Sequence, residues 1–359
     1  MTKTKVCVTG GSGFLGSWCV KTLLSEPDKY DVVTTVRTES KAKFLRSLPN
    51  ADTNLTIIPN VELTGESAKG KFEEVFEGCY AVLHTASPYY FEMEIEDRVV
   101  RPAVEGTRNV LDACAAEGST VKRVIITSST AAVFANFSTY PEDHVYDEKD
   151  WSPEDLLRSK KQFYALSKTL GEKAAWDMSK TDGCPYTLTC INPTVILGPL
   201  LPGLSYINTS ALPVLKYFDG SMSKIENLCK AVVDVRDVAQ AHVNAIFAKE
   251  ADGKRFMMIG ACPHMKEVAE IVRGADDILS DEMRANVPTE MGEVAAPMMG
   301  QRPPNKILYT CEESEKVLGI KYRDLNEMVT SLMKSLMENG YTSSGEYSTA
   351  TMGSSDPKQ

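Results

Sequence analysis

The sequence predicts an α/β protein built on a doubly wound parallel sheet, with a smaller lobe towards the C-terminus. Three observations support this. Short apolar runs alternate with helix-period segments from Val6 to Ile191. The first run, Val6-Cys7-Val8, breaks at once into Gly10, Gly11, Gly13 and Gly16. A helix-period segment with Trp18, Val20, Leu23 and Leu24 follows the glycines without a gap.

Strand, glycine turn and helix N-terminus in that order make a phosphate site. The first helical N–H groups have no partner in the helix, and the dipole there is positive. Without side chains the turn lets a pyrophosphate approach the backbone. The spacing is Gly10-x-x-Gly13-x-x-Gly16, and Gly11, Gly13 and Gly16 also satisfy G-x-G-x-x-G. The expected unit is therefore a Rossmann sheet that binds a dinucleotide.

The remaining strands follow in order. Tyr30–Val36 is the second and ends at Arg37, with Lys41 and Lys43 close behind. Leu55–Ile58 is the third, followed by Glu62-Leu63 and a charged helix near Phe72–Phe76. Ala81–His84 is the fourth and leads into Thr85-Ala86-Ser87. Val100–Ala116 is amphipathic, and Val124–Ile126, the fifth strand, ends at Thr127-Ser128-Ser129. A long helix is expected from near Ser159 towards Lys180, then a sixth strand at Leu188–Ile191. Ligands of such sheets sit beyond the carboxyl ends of the strands, where Arg37, Ser87 and Ser129 fall.

The Gly-, Pro- and Ser-rich stretch from Gly198 to Gly220 leaves this rhythm and marks the second lobe. The expected division is a dinucleotide domain over 1–197, with 230–248 returning to it. A substrate lobe takes 198–229 and 249–341, with a closing helix over Leu325–Glu338. The polar, Ser-rich 342–359 is expected to be a disordered tail.

The chain has 359 residues and a net charge of −10, which argues against a nucleic-acid surface. No run reaches the ~20 apolar residues of a membrane helix. Nine cysteines with no C-x-x-C pair and no secretory signal point to reduced thiols and a cytoplasmic protein. Cys7 and Cys190 read as small core residues. The four histidines show no metal spacing, so no metal is expected. The expected partner is a small-molecule substrate, with no membrane or nucleic acid, and the chain a monomer or homodimer.

Tyr164 and Lys168 lie four apart on the long helix and so share a face. An ammonium beside a phenol favours the phenolate and is expected to lower a pKa near ~10. Ser129, at a strand end, could bond a carbonyl oxygen. Together the three residues suit proton transfer to a C=O as hydride reaches its carbon.

With these residues the chain resembles the extended short-chain dehydrogenase/reductases. Within them it is similar to the dihydroflavonol reductase and cinnamoyl-CoA reductase group and to yeast-type aldehyde and ketone reductases. The matching stretches are TGGSGFLGSW (9–18), VLHTASP (82–88), RPAVEGTRNVLDAC (101–114), KRVIITSSTAAV (122–133), YALSKTLGEKAAW (164–176), NPTVILGPLLP (192–202) and VVDVRDVAQAH (232–242).

The resemblance implies NADP as cofactor and the reduction of an aldehyde or ketone. Gly10, Gly13 and Gly16 would hold the pyrophosphate, with amides from Phe14 and Leu15. Arg37 and Lys41 would meet the 2′-phosphate, and Glu62 and Leu63 the adenine. Thr85, Ala86, Ser87 and Thr127 would line the cofactor, and Pro193 and Val195 would flank the nicotinamide. Ser129, Tyr164 and Lys168 match the catalytic set, with Tyr164 and Lys168 also touching cofactor. Phe134, Tyr206 and Met222 are expected around the substrate, and Asp237 is expected to cap the helix after it.

One departure bears on the substrate. Cinnamoyl-CoA reductases carry N-W-Y-C-Y where this chain reads Gln162-Phe163-Tyr164-Ala165-Leu166, which argues against a CoA thioester. The alternatives on the same fold are a sugar-nucleotide epimerase and a 3-hydroxysteroid dehydrogenase. A third is a non-catalytic NADP-sensing regulator.

Overall fold

The computed structural model describes residues 2–87, 95–135, 140–141, 143–204, 206–294 and 307–343. β1 (Thr4–Thr9) passes through the glycine loop into α1 (Phe14–Leu24). Then come β2 (Tyr30–Thr35), α2 (Ala51–Asn54), β3 (Leu55–Ile58), α3 (Ala68–Val75), β4 (Ala81–His84), α4 (Glu96–Cys114) and β5 (Arg123–Thr127). α5 (Ala131–Phe134), α6 (Glu154–Ser159) and α7 (Phe163–Ser179) precede β6 (Thr187–Pro193) and β7 (Val195–Leu197). The rest comprises α8 (Leu212–Phe218), β8 (Ile225–Asn227), β9 (Val232–Asp234), α9 (Val235–Ala245) and β10 (Arg255–Met258). After these come α10 (Met265–Gly274), α11 (Asp281–Ala285), β11 (Met291–Val294), α12 (Glu312–Leu318) and α13 (Leu325–Glu338).

A seven-stranded sheet runs β10-β6-β5-β4-β1-β2-β3, with every pairing parallel. The chain winds from β1 out to β3, then returns to β4 on the other side of β1. This reversal leaves a crevice beyond the carboxyl ends of β1 and β4. Side chains of β1 alternate between faces, and both faces are buried. Val6 and Val8 join a core with α1 and α9, whereas Cys7 joins Val82, Val110, Val124 and Leu188 under α4 and α7. Covering both faces is why the strands read as continuous apolar runs.

Two further parallel strand pairs, β7 with β9 and β8 with β11, stand apart from this sheet. Three details differ from the expectations. β10 completes the large sheet on β6, although 249–341 is expected wholly in the second lobe. Its apolar stretch, Phe256-Met257-Met258, is too short and too poor in β-branched residues to announce a strand. The long helix begins at Phe163, because Lys161 takes a left-handed φ of 55° and separates α6 from α7. Asp234, not Asp237, caps α9 by accepting from the Arg236 N–H at 2.8 Å. Asp237 accepts instead from the Arg323 backbone N–H at 2.9 Å and from its guanidinium.

None of the nine cysteines, all of them among the described residues, forms a disulfide, and all but Cys184 are buried. Among the described residues no helix is long and apolar enough to cross a membrane, and no His/Cys/Asp/Glu group could hold a metal. Of the tail, residues 344–359 lie outside the described residues.

Candidate active site

The glycine loop is shaped for a close approach. Gly10 has φ +72°, and a Cβ there would sit 2.9 Å from the Ala86 Cβ. A Cβ on Gly16 would collide with the Gly10 carbonyl oxygen. The N-cap of α1 is Gly13, which has no side chain to cap the helix, and Phe14 and Leu15 line the cleft in front of it. Bare backbone and an uncapped helix N-terminus fit a dinucleotide pyrophosphate. Tyr206 lies over this loop, its hydroxyl 3.9 Å from where a Cβ on Gly13 would stand, and burial pushes the phenol up to about 12.

Arg37 follows β2 after one residue, Val36, and is exposed. Burial, then the Arg37 charge, lowers the Lys41 pKa, while Glu62 opposes both. These three groups therefore share one neighbourhood at the sheet's edge. Glu39 is turned away and pairs with Arg46 at 2.5 Å. Leu63 is fixed by Asn109, whose Nδ2 donates to its carbonyl at 2.9 Å.

The β4 end is tied to the β1 end. Thr85 Oγ1 donates to the Thr9 carbonyl at 2.7 Å, and the Ala86 N–H donates to Thr9 Oγ1 at 3.3 Å. At the β5 end, His242 Nδ1–H donates to the Val238 carbonyl at 2.8 Å. Its Nε2 therefore accepts from the Thr127 hydroxyl at 2.8 Å.

The Ser129 hydroxyl lies beside the Tyr164 phenol and acts to lower its pKa. Lys168, one turn along α7, has its Nζ 5.9 Å from the Tyr164 ring centre and donates to Ser87 Oγ at 3.2 Å. The Tyr164 pKa is raised, contrary to the sequence expectation. Desolvation outweighs the effect of Ser129, and the ammonium is engaged by Ser87 rather than by the phenol. Burial lowers Lys168 to about 8, with Glu172 acting in the opposite direction.

These groups face a cleft of about 480 Å³. Phe14, Leu15, Thr85, Thr127, Ser129, Phe134, Tyr164, Lys168, Pro193 and Val195 line it. Ala86, Ser87 and Leu63 border a smaller adjoining cavity beneath Lys168. Tyr206 and Met222 are not on the cleft wall. Tyr206 covers the glycine loop, and Met222 packs against the large core with its N–H on the Lys216 carbonyl at 3.2 Å. Pro213, Val214 and Val268 take the wall positions expected of them. Sequence reasoning also missed Glu172 and Asn192. Position i+4 from Lys168 on an otherwise apolar helix face was the available signal for Glu172.

A dinucleotide loop on a doubly wound sheet, with Ser, Tyr and Lys gathered at one strand end, defines an extended short-chain dehydrogenase/reductase. The chain belongs to the 3-beta hydroxysteroid dehydrogenase/isomerase family, whose model matches residues 7–266. It is an oxidoreductase of that class. It is 36% identical to cinnamoyl-CoA reductase 1 of Petunia hybrida, over 94% of this chain and 93% of that one. It is 32% identical to dihydroflavonol 4-reductase of Callistephus chinensis, over 94% and 87%. The crystal structure of yeast methylglyoxal/isovaleraldehyde reductase complexed with NADPH superposes with a TM-score of 0.79 at 27% identity, covering 94% of this chain and 100% of that one.

Proposed function

We propose that the protein reduces an apolar aldehyde or ketone to the alcohol with NADPH, Tyr164 giving the proton. The observation that carries this is that Ser129, Tyr164 and Lys168 line one cleft, with Lys168 one helical turn from Tyr164. The wall beyond it is mainly apolar, with Phe134, Pro193, Val195, Pro213, Val214 and Val268. Lys230, the other cation on that wall, is paired with Glu226 at 3.4 Å and so offers little to an anionic sugar nucleotide.

NADPH, when bound, supplies the hydride that reaches the carbonyl carbon. Gly10, Gly13, Phe14, Leu15 and Gly16 would hold its pyrophosphate, and Arg37 and Lys41 its 2′-phosphate. Glu62 and Leu63 would lie at the adenine. Thr85, Ala86, Ser87, Thr127, Pro193 and Val195 would line the nicotinamide half. Ser129 orients the substrate oxygen. Tyr164, kept protonated by burial, passes its proton to that oxygen. Lys168 holds the ribose side of the site and carries the positive charge that favours the resulting phenolate.

The deciding experiment follows NADPH oxidation against a panel of aldehydes, ketones, flavonoids, CoA thioesters and 3-ketosteroids, and sugar-product formation with UDP-sugars in the presence of NAD or NADP. Reduction of apolar aldehydes or ketones is expected. Turnover of a UDP-sugar with no reduction of any carbonyl compound would overturn the reading in favour of an epimerase.

A further inference from the structure

We propose that the buried Glu172–Arg255 ion pair, behind α7, holds the catalytic groups in register and sets the charge on Lys168. This rests on the catalytic reading above. Tyr164, Lys168 and Glu172 stand at successive turns of one helix face. The Glu172 side chain has no exposed surface. Its Oε1 accepts from Arg255 Nε at 2.5 Å and from Trp176 Nε1 at 3.2 Å. Its Oε2 accepts from Ser128 Oγ at 2.5 Å and Asn192 Nδ2 at 2.7 Å. Asn192 Nδ2 also donates to the Ser129 carbonyl at 3.2 Å. One carboxylate thus joins α7, the ends of β5 and β6, and β10. Both neighbours of the Ser129 hydroxyl's placement, its preceding residue and its own carbonyl, are fastened to it.

Arg255 is equally committed. Its Nη1 donates to the Glu148 and Asp150 carbonyls at 2.8 and 2.7 Å, its Nη2 donates to Glu172 Oε2 at 3.4 Å, and the guanidinium stacks 3.7 Å from the Trp151 ring centre. A buried pair of this kind adds little net stability, since desolvation offsets the attraction. Its electrostatic reach is another matter. Glu172 and Lys168 line the same cavity of about 30 Å³, together with His84, Ser87, Thr127 and Ser128. α4 lends this cavity only the uncharged Ala103, Gly106 and Thr107. His84, from β4, is held neutral with a pKa of about 4, and Tyr164 is neutral. Among the described residues lining the cavity, Glu172 is the one anion facing Lys168, and Arg255 stands behind it.

The two partners should therefore move Lys168 in opposite directions. Glu172→Gln removes the anion and leaves Arg255, so Lys168 gives up its proton at lower pH. Arg255→Gln leaves the carboxylate unneutralised, so Lys168 keeps its proton to higher pH. The alkaline limb of kcat/KM for carbonyl reduction is expected to shift down by about one pH unit in the first variant and up by a similar amount in the second. A purely structural pair would lower activity in both without opposed shifts. Limbs that stay in place, or move the same way, would overturn the proposal. Ser128→Ala, a small change that keeps the charge pair, should lower kcat roughly 10-fold with NADPH affinity unchanged. A wild-type kcat in that variant would refute the positioning role even if neither charge variant folds. A wild-type protein that reduces no carbonyl compound would sink the catalytic reading instead.

Discussion

Lys168 Nζ donates to Ser87 Oγ across 3.2 Å, joining the middle of α7 to the segment leaving β4. Both residues belong to the half of the sheet that begins at β4, so this bond ties the β4 end to the helix between β5 and β6. Burial brings Lys168 down to about 8, close enough to neutrality for its charge to matter in an assay. On the proposed mechanism, reduction uses the ammonium form. Activity should be full well below pH 8 and fall as pH rises through that value. A kcat/KM profile flat to pH 10 would refute this. Lys168→Met should abolish the limb and weaken NADPH binding as well, because the same ammonium faces the cofactor side.

Tyr164 has the complementary property. Its raised pKa keeps the hydroxyl protonated across the neutral range, which is the form a proton donor needs. Tyr164→Phe should cost about 10²-fold or more in turnover, typical of losing a general acid. The NADPH dissociation constant should stay within about twofold, since the loop and α1 are untouched. Steady-state rates near wild type would remove Tyr164 from the mechanism.

Local sequence carries the first half of this site well. Gly10, Gly13 and Gly16 are set by steric contacts within one turn, and Tyr164 and Lys168 by helical period. Both signals are short-range, so residue order alone reveals them. Tyr206 and Met222 fail for the opposite reason. Their positions depend on how the chain between Gly198 and Gly220 folds back, and no period or cap encodes that path. Asp234 and Asp237 are three apart, and either could open a helix by composition. Only the distant Arg323 decides which one caps and which one braces. Glu172 hides because a charged residue on a helix reads as solvated unless its partner is known, and Arg255 comes from the far edge of the sheet.

Two buried histidines predict how stability depends on pH. His84 falls to about 4 through burial, with the Lys168 charge adding to it. His242 also falls to about 4 through burial, opposed by its bond to the Val238 carbonyl. Both lie below the ~6.5 of an unfolded chain. Between those values the unfolded state binds protons that the folded state does not. Stability from these groups is therefore complete above pH 6.5, drains away as pH falls towards 4, and changes no further below it. The full loss is on the order of 3 kcal/mol for each histidine. Urea midpoints should drop between pH 7 and pH 4.5, and less steeply in His242→Gln. An equal slope in the variant would count against His242.

Arg37 is expected to decide the choice of cofactor. Rossmann enzymes that select NAD place Asp or Glu at the end of the second strand, where it bonds the ribose hydroxyls and repels a 2′-phosphate. Here β2 ends at Thr35, and the exposed Arg37 follows one residue after Val36. The acidic residue nearest in sequence, Glu39, is held by Arg46 and leaves the guanidinium free to meet a phosphate in a two-bond fork. Lys41 adds a second charge close enough for Arg37 to lower its pKa. That mutual repulsion between cations is relieved when a dianionic phosphate sits between them. Arg37→Ala should therefore weaken NADPH binding by roughly 1.5–3 kcal/mol, the worth of a charged hydrogen bond, or about 10- to 150-fold. NADH has no 2′-phosphate, so its affinity should change little. Dissociation constants for both cofactors, in wild type and variant, test this directly. Equal wild-type affinities, or an equal loss for both cofactors, would mean that Arg37 supports the loop and does not read the phosphate.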